Sequence, residues 1–361
     1  MNSAARLFER CSKQSRQFAT RAISANSQAD FHSTSSRRLY AALALTEWRS
    51  LLLLPLLFQI SPSLGQSDMF SLAGYSDMKS KLVTSLATMT TSHHSAKYPL
   101  GNTDAEHERL IRQAARIAPM TERFFCEAGV GRGQRVLDLG SGVGDVAMLV
   151  ARLVGPSGEV VCVERDPKSI AKARARVTEG GLQNVSFTES DVGEIPDGKP
   201  FDAAVGRFIL MYLPDPVAAL RAISQLVRPG GVLAFQEPCW VPVLAHLASL
   251  PLWFATASLI DKAMRASANH DMGTELYQTF VEAGLPEPAI RMELPLGKEP
   301  YLAQWYYDTL CSLRPQVEQL HLPIESLGSL DTLVLRLQAE VAESKTVACW
   351  FASVGAWCRK A

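Results

Sequence analysis

Apolar and polar residues change their rhythm several times along the chain. Between residues 104 and 128, Leu110, Ile111, Ala114, Ile117, Met120 and Phe124 recur three or four positions apart. That spacing turns one helix face toward a core, and Pro119 is expected to divide the stretch into two helices. The period then shortens. Residues 135–139 (RVLDL) read as a short buried strand, Gly140-Ser-Gly-Val-Gly144 as a tight loop, and 145–153 as a helix whose first residue, Asp145, can cap free amides. The alternation continues with a strand at 160–163 ending on Glu164, a helix at 167–177, and a strand at 185–189 running into Ser190 and Asp191. A fourth strand at 201–205, a helix at 217–227 stopped by Arg228-Pro-Gly-Gly231, and a fifth strand at 232–236 complete the series. Strands alternating with helices over short turns predict a parallel sheet covered on both faces, with the ligand beyond the strand C-termini.

After the fifth strand the stretch 240–268 is rich in Leu, Ala, Trp253 and Phe254 and predicts helices, and 274–283 resumes a sheet-covering helix. Residues 289–294 and 347–357 form a terminal strand pair around a helical stretch that holds Tyr301, Trp305, Tyr306, Tyr307 and the run 330–341. Together with the 104–128 helices, these insertions would roof the site.

The first ninety residues follow none of this. Residues 1–40 hold seven basic groups and two acids, net +5, whereas the other 321 hold 29 basic and 34 acidic groups, net −5. An Arg- and Ser-rich, acid-poor start with Leu7, Phe8 and Phe18 has the composition of a mitochondrial transit peptide. A basic tail, or a stretch upstream of a start at Met69 or Met78, is the alternative. The location expected is mitochondrial if residues 1–40 are a transit peptide, and cytoplasmic otherwise. The apolar run 51–60 is about half the roughly 20 residues needed to span a bilayer. Pro55 interrupts it and Glu47 and Arg49 precede it, so no stable span is expected. A Ser/Thr-rich linker follows, and the folded body should begin near Tyr98. With 36 basic and 36 acidic residues overall, the chain lacks the basic excess of a nucleic-acid partner. Seven scattered cysteines without a C-x-x-C pair argue against a disulfide framework or a zinc ribbon. The sequence leaves the oligomeric state open.

The glycine loop narrows the ligand. A dinucleotide fingerprint reads G-x-G-x-x-G, but here the third glycine comes one position early, and Asp145 stands where that glycine belongs. A negative residue there repels pyrophosphate. Glu164, 20 positions after Gly144, can accept hydrogen bonds from both hydroxyls of a ribose. S-adenosylmethionine, which has a ribose, an ammonium and a carboxylate but no phosphate, fits this loop better than a nicotinamide dinucleotide does.

These residues, with Asp191, Phe201-Asp-Ala-Ala-Val205 and Arg228-Pro-Gly-Gly231, resemble in order the motifs of class I S-adenosylmethionine-dependent methyltransferases across 131–237. Gly206-Arg-Phe-Ile-Leu-Met-Tyr-Leu-Pro-Asp215, Gln236-Glu-Pro238 and Gly355-Ala-Trp357 are similar to a small-molecule subgroup met in bacteria and fungi, extending the likeness to about 98–361. The resemblance implies an α/β fold: a doubly wound, Rossmann-like, mainly parallel seven-stranded sheet with an antiparallel terminal strand and a helical cap. It divides the chain into an N-terminal region (1–92), cap helices (93–130), a cofactor-binding core (131–237), and cap helices that complete the sheet (238–361).

By the same resemblance Asp138, Gly140, Ser141, Gly142 and Gly144 would hold the methionyl part of S-adenosylmethionine. Glu164, with Arg165 beside it, would hold the ribose, and Asp191 with the Val192 amide the adenine. Arg207 and Phe208 would sit at the mouth where cofactor and acceptor meet. Methyl transfer to O, N or S of a small apolar acceptor is the activity implied, with secondary metabolism or quinone-type lipid methylation as a setting. Glu237, His246 and His270 are the candidates for a base. No metal is expected, because Gly206-Arg207-Phe208 replaces the carboxylates that a metal-assisted enzyme would need. Trp240, Trp253, Trp305 and Tyr306 suggest an apolar acceptor pocket, or ordinary helix packing. A nicotinamide-dependent oxidoreductase and an inactive cofactor-binding scaffold are the rival readings.

Overall fold

A computed structural model describes residues 103–191 and 198–361. The readings made for residues 1–92, the start near Tyr98 and the role given to Val192 lie outside the described residues. Seven strands form one sheet: β1 (Arg135–Leu139), β2 (Glu159–Glu164), β3 (Val185–Glu189), β4 (Phe201–Arg207), β5 (Val227–Cys239), β6 (Ala289–Glu293) and the late strand Ala352–Arg359. Their order is β3-β2-β1-β4-β5, then Ala352–Arg359, then β6. The first five pair in parallel, and Ala352–Arg359 runs antiparallel between β5 and β6, second from the sheet edge. A separate ribbon joins β7 (Leu296–Gly297) to β8 (Ala348–Cys349), which makes Ala352–Arg359 strand β9.

Strand order reverses at β1. Neighbours β2 and β4 leave it on opposite sides, and the crevice above their C-terminal ends is where such sheets receive ligands. Alternate residues of β1 feed different cores. Val136 packs with Val146, Val150, Val160 and Val205 on one face. Leu137 and Leu139 pack with Leu220, Leu233 and Phe235 on the other.

Helix α1 (Asp104–Ala128) runs unbroken through Pro119, contrary to the expected division. Proline removes one backbone bond, to the carbonyl of Ala115, at about 3 kcal/mol. Ile117, Met120, Phe124 and Phe125 are buried on both sides of it. Each contributes about 1.5–3 kcal/mol, so packing outweighs the lost bond. The ends are capped by Thr103 Oγ1, which accepts from Glu106 N, and by Gly129 at φ 94°.

Helices α2 (Asp145–Val154), α3 (Pro167–Glu179) and α4 (Pro216–Leu226) are the crossovers. Arg228-Pro-Gly-Gly231 does more than stop α4. It opens β5, whose pairing jumps from Phe201↔Val227 to Ala203↔Val232. A side chain at Gly231 would come within 2.8 Å of the Asp202 carbonyl, so the irregularity admits only glycine there. Beyond β5 come α5 (Val241–Leu247), α6 (Pro251–Arg265), α7 (Met272–Glu282), α8 (Pro300–Ser312), α9 (Arg314–Gln319) and α10 (Leu333–Glu343). Among the described residues no helix is long and apolar enough to cross a membrane.

Candidate active site

The loop after β1 is bent by backbone that L-residues avoid: φ is 61° at Gly140 and 51° at Gly142. A Cβ on Gly140 would collide with the Ile209 side chain, whereas one on Gly142 would meet nothing within 4 Å among the described residues. Gly140 is therefore required by packing, and Gly142 opens the floor of a cavity of about 680 Å³. Gly140 N and Ser141 N donate to the Val163 carbonyl (2.9 and 3.2 Å), tying the loop to β2.

Glu164, at the end of β2, reaches across that loop. Its Oε2 accepts from Gly142 N at 2.9 Å, and its Oε1 accepts from Arg165 N and Asp166 N at 2.9 and 3.0 Å. The amide that would face a pyrophosphate thus already faces a carboxylate. Asp145 is different from what its position in the sequence suggests. Arg176 Nη2 lies 2.7 Å from it and offsets its charge. Repulsion of phosphate at this loop rests on Glu164 more than on Asp145.

Asp138 is buried in mid-sheet, opposite Cys162 on β2 and Val205 on β4. Among the described residues neither of its oxygens has a hydrogen-bond partner, nor does the buried Ser141 Oγ. Burial pushes the Asp138 carboxyl up to about 8, against the pull of Arg207, with Glu164 and Asp145 raising it further. Arg207, at the end of β4, lines the cavity. Burial weakens its hold on its proton, Asp145 and Asp138 strengthen it, and the group remains a cation. Its Nη1 donates to Thr121 Oγ1 (3.2 Å), which donates to Gln236 Oε1 (2.8 Å). Gly144 caps α2 beside the cavity; Arg165, Ser190 and Asp191 line its far end.

The other half of the cavity is apolar. Phe208, Met211, Tyr212, Trp240, Ile260, Met264, Trp305 and Phe351 line it, joined by His270 and Thr309. Phe208 has φ 57°, a strained value for a bulky residue of the kind that clusters at ligand sites. Its ring meets Phe351 edge-on at 5.5 Å, and Trp305 lies 5.1 Å from Phe351 and 6.4 Å from Trp240. Trp253 and Tyr306 are not in this wall. They pack on each other at 5.1 Å within the cap, where Trp253 Nε1 donates to the Leu337 carbonyl.

The three candidate bases part company. Glu237 is wholly buried and does not line the cavity. Its carboxyl accepts from Ile209 N (3.0 Å), Leu210 N (2.8 Å) and Met211 N (3.4 Å), and so caps the turn Leu210–Tyr212 after β4. His246 pairs through Nε2 with the Val347 carbonyl at 2.9 Å, away from the cavity. His270 alone of the three lies in the cavity wall.

A group that periodicity missed roofs the cavity. Arg109 forms a two-pronged buried ion pair with Glu106 (2.6 and 2.8 Å), and Ser312 Oγ donates to the same carboxylate. Arg109 Nη1 and Trp305 Nε1 both donate to Gln113 Oε1 (2.9 and 2.7 Å), locking α1 to α8. The signal was present: Glu106 and Arg109, three apart, carry charge on the buried face of an amphipathic helix. Among the described residues no group of three or more His, Cys, Asp or Glu could hold a metal ion.

Burial also pushes the Glu237 carboxyl up to about 8, despite three amides that favour its charged form. Unfolding returns Asp138 and Glu237 to 3.8 and 4.5, so the unfolded chain binds fewer protons between those values and about 8. Stability from these two groups is full at low pH and is lost as pH rises through about 8. The His270 imidazole, pushed down to about 3 by burial, is neutral in both states above 6.5 and does not interfere there. The melting temperature should therefore fall from about pH 6.5 to about pH 8.5, and D138N should flatten the slope. An unchanged slope in D138N would show that this carboxyl is already ionised.

Residues 131–284 match the family model of a methyltransferase domain. The chain is 37% identical over 128 residues to a ubiquinone/menaquinone biosynthesis C-methyltransferase of Cellvibrio japonicus, covering 34% of this chain and 51% of the relative. It is 36% identical over 128 residues to the protein of the same description from Proteus mirabilis, with the same coverage. The chain spans about half the length of the curated relatives it matches. A solved S-adenosylmethionine-dependent methyltransferase from Aquifex aeolicus shares 24% identity at a TM-score of 0.34, covering 38% of this chain and 74% of that one.

Proposed function

We propose, from the class I S-adenosylmethionine-dependent methyltransferase core that residues 131–284 form, that this protein methylates O, N or S of a small, largely apolar organic acceptor. The observation that carries this reading is one continuous cavity. It joins the loop of Gly140 and Gly142, with Glu164 and Asp191, to the aromatic wall of Phe208, Trp240, Trp305 and Phe351. One end suits an adenosyl group and the other a flat apolar molecule.

The residues present suit the cofactor. The buried oxygens of Asp138 and Ser141, without partners among the described residues, call for a hydrogen-bonding ligand group, and the ammonium of S-adenosylmethionine provides one whose charge favours ionisation of the Asp138 carboxyl. Arg207, fixed by Thr121 and Gln236, faces the methionyl carboxylate, and Glu164 accepts the ribose hydroxyls on its remaining lone pairs while it keeps Gly142 N. Asp191, which lines the cavity, takes the adenine. When bound, S-adenosylmethionine supplies a methyl carbon already activated by its sulfonium. The protein's share of the work is therefore alignment and exclusion of water. The aromatic wall excludes water, and the Glu106–Arg109–Gln113 lock holds the roof in place.

The curated relatives are C-methyltransferases by name. In this chain the acceptor wall draws on Trp305, Thr309 and Phe351, which lie beyond the matched residues 131–284, so its acceptor follows from its own cap. A nicotinamide-dependent reading is disfavoured by the Glu164 carboxylate on Gly142 N. The test is incubation of the protein with methyl-labelled S-adenosylmethionine and a metabolite extract. The label should appear in a small apolar product. Label retained on the cofactor after prolonged incubation with acceptor-rich extract would favour the inactive scaffold instead.

A further inference from the structure

We propose that His270, held by Asp261, accepts the proton of the acceptor's nucleophile, and that this nucleophile is a hydroxyl. The inference rests on the methyltransferase reading above and deepens it. His270 lines the apolar half of the cavity. Its ring lies 4.6 Å from the Trp240 ring, and the preceding Asn269 N donates to the Met211 carbonyl at 2.8 Å, just after β4. Trp240, Met211 and His270 line the same cavity.

Its orientation follows from one unsatisfied atom. Among the described residues His270 Nδ1 is buried without a hydrogen-bond partner, and it faces Asp261 Oδ1, 3.6 Å away, which itself lies 3.0 Å from Arg265 Nη2. A shift of a few tenths of an ångström satisfies Nδ1, with its N–H donating to the carboxylate. That tautomer leaves the lone pair on Nε2, the only other polar atom of a ring that lines the cavity. The charged groups around the ring are Asp261 and Arg265 on α6 and Asp271 before α7. Arg265 bonds both carboxylates, so the set is one negative charge in excess, which offsets only part of the burial penalty on an imidazolium.

Burial keeps the free imidazole neutral at working pH, with its lone pair available. A weak base is sufficient. A phenol-type hydroxyl has a pKa of about 10, but its proton becomes strongly acidic once the oxygen bonds to carbon, so transfer to Nε2 turns favourable during the reaction. In the step, the O–H bond breaks and its proton goes to Nε2. The freed oxygen pair forms the new O–CH₃ bond, the old S–CH₃ pair stays on sulfur, and the charge lost by the sulfonium appears on the imidazolium. Thr309 Oγ1, likewise buried and unpartnered in this wall, offers a second polar contact to the acceptor.

The experiment uses the full chain labelled with ¹⁵N-histidine and saturated with S-adenosylhomocysteine, with H270N assigning the resonances and 4-methylphenol, un-ionised at neutral pH, as the probe. At pH 7 His270 should be the Nδ1–H tautomer, and 4-methylphenol should shift its Nε2 resonance. H270N should bind the phenol about tenfold more weakly, one hydrogen bond's worth, with S-adenosylhomocysteine affinity unchanged. An Nε2–H tautomer, or no perturbation by millimolar phenol in a protein that binds S-adenosylhomocysteine normally, overturns the inference and leaves the methyltransferase reading standing. Failure to bind S-adenosylhomocysteine overturns both.

Discussion

Replacing Glu164 by Ala should raise the dissociation constant for S-adenosylhomocysteine by about 5–150-fold, or about 1–3 kcal/mol, as expected when polar groups lose a shared partner. In the unliganded protein this carboxylate holds Gly142 N, Arg165 N and Asp166 N. Its loss removes the ribose acceptor and also loosens the glycine loop against the end of β2. Glu164→Gln keeps one acceptor oxygen in the same place, so its loss should be smaller. Isothermal titration of the two variants separates the effects, and an unchanged constant in E164A would remove Glu164 from the ribose site.

The second large effect is on stability. Glu237→Ala should cost about 3–5 kcal/mol, because it strands the amides of Ile209, Leu210 and Met211 in a buried turn, at about 1–3 kcal/mol for each well-made bond. Glu237→Gln retains an oxygen for the two short bonds and should lose only about 1 kcal/mol. Urea midpoints measure both. The same pair decides the role of this residue. If Glu237 caps the turn, E237Q folds and transfers methyl groups; if it is the base, E237Q folds and does not.

Much of the fold was legible because it is written in local spacing. Short apolar runs ending on Leu139, Glu164 and Glu189, separated by helices and turns, lead to a parallel sheet with a crevice at β1. Pro119 misled because propensity is local, whereas the burial of Ile117 and Phe124 that overrides it depends on the sheet they reach. The site was legible where backbone makes it, at Gly140 and Gly142. It was less so where side-chain direction decides. Glu237, at a strand end, points to amides rather than to the cavity, and Asp145 finds Arg176, 31 residues away. Trp305 lines the wall while its neighbour Tyr306 turns into the core. Helical spacing alone does not say which of two adjacent aromatics faces a ligand.

The cavity above β1 suits an adenosyl sulfonium and not a phosphorylated dinucleotide, and a crystal structure with S-adenosylhomocysteine tests this. The ribose hydroxyls should lie within hydrogen-bond distance of the Glu164 carboxylate, with the amino-acid end over Gly140 and Gly142 near Arg207. A ribose placed away from Glu164, or a nicotinamide dinucleotide occupying the same crevice in its stead, would contradict the account.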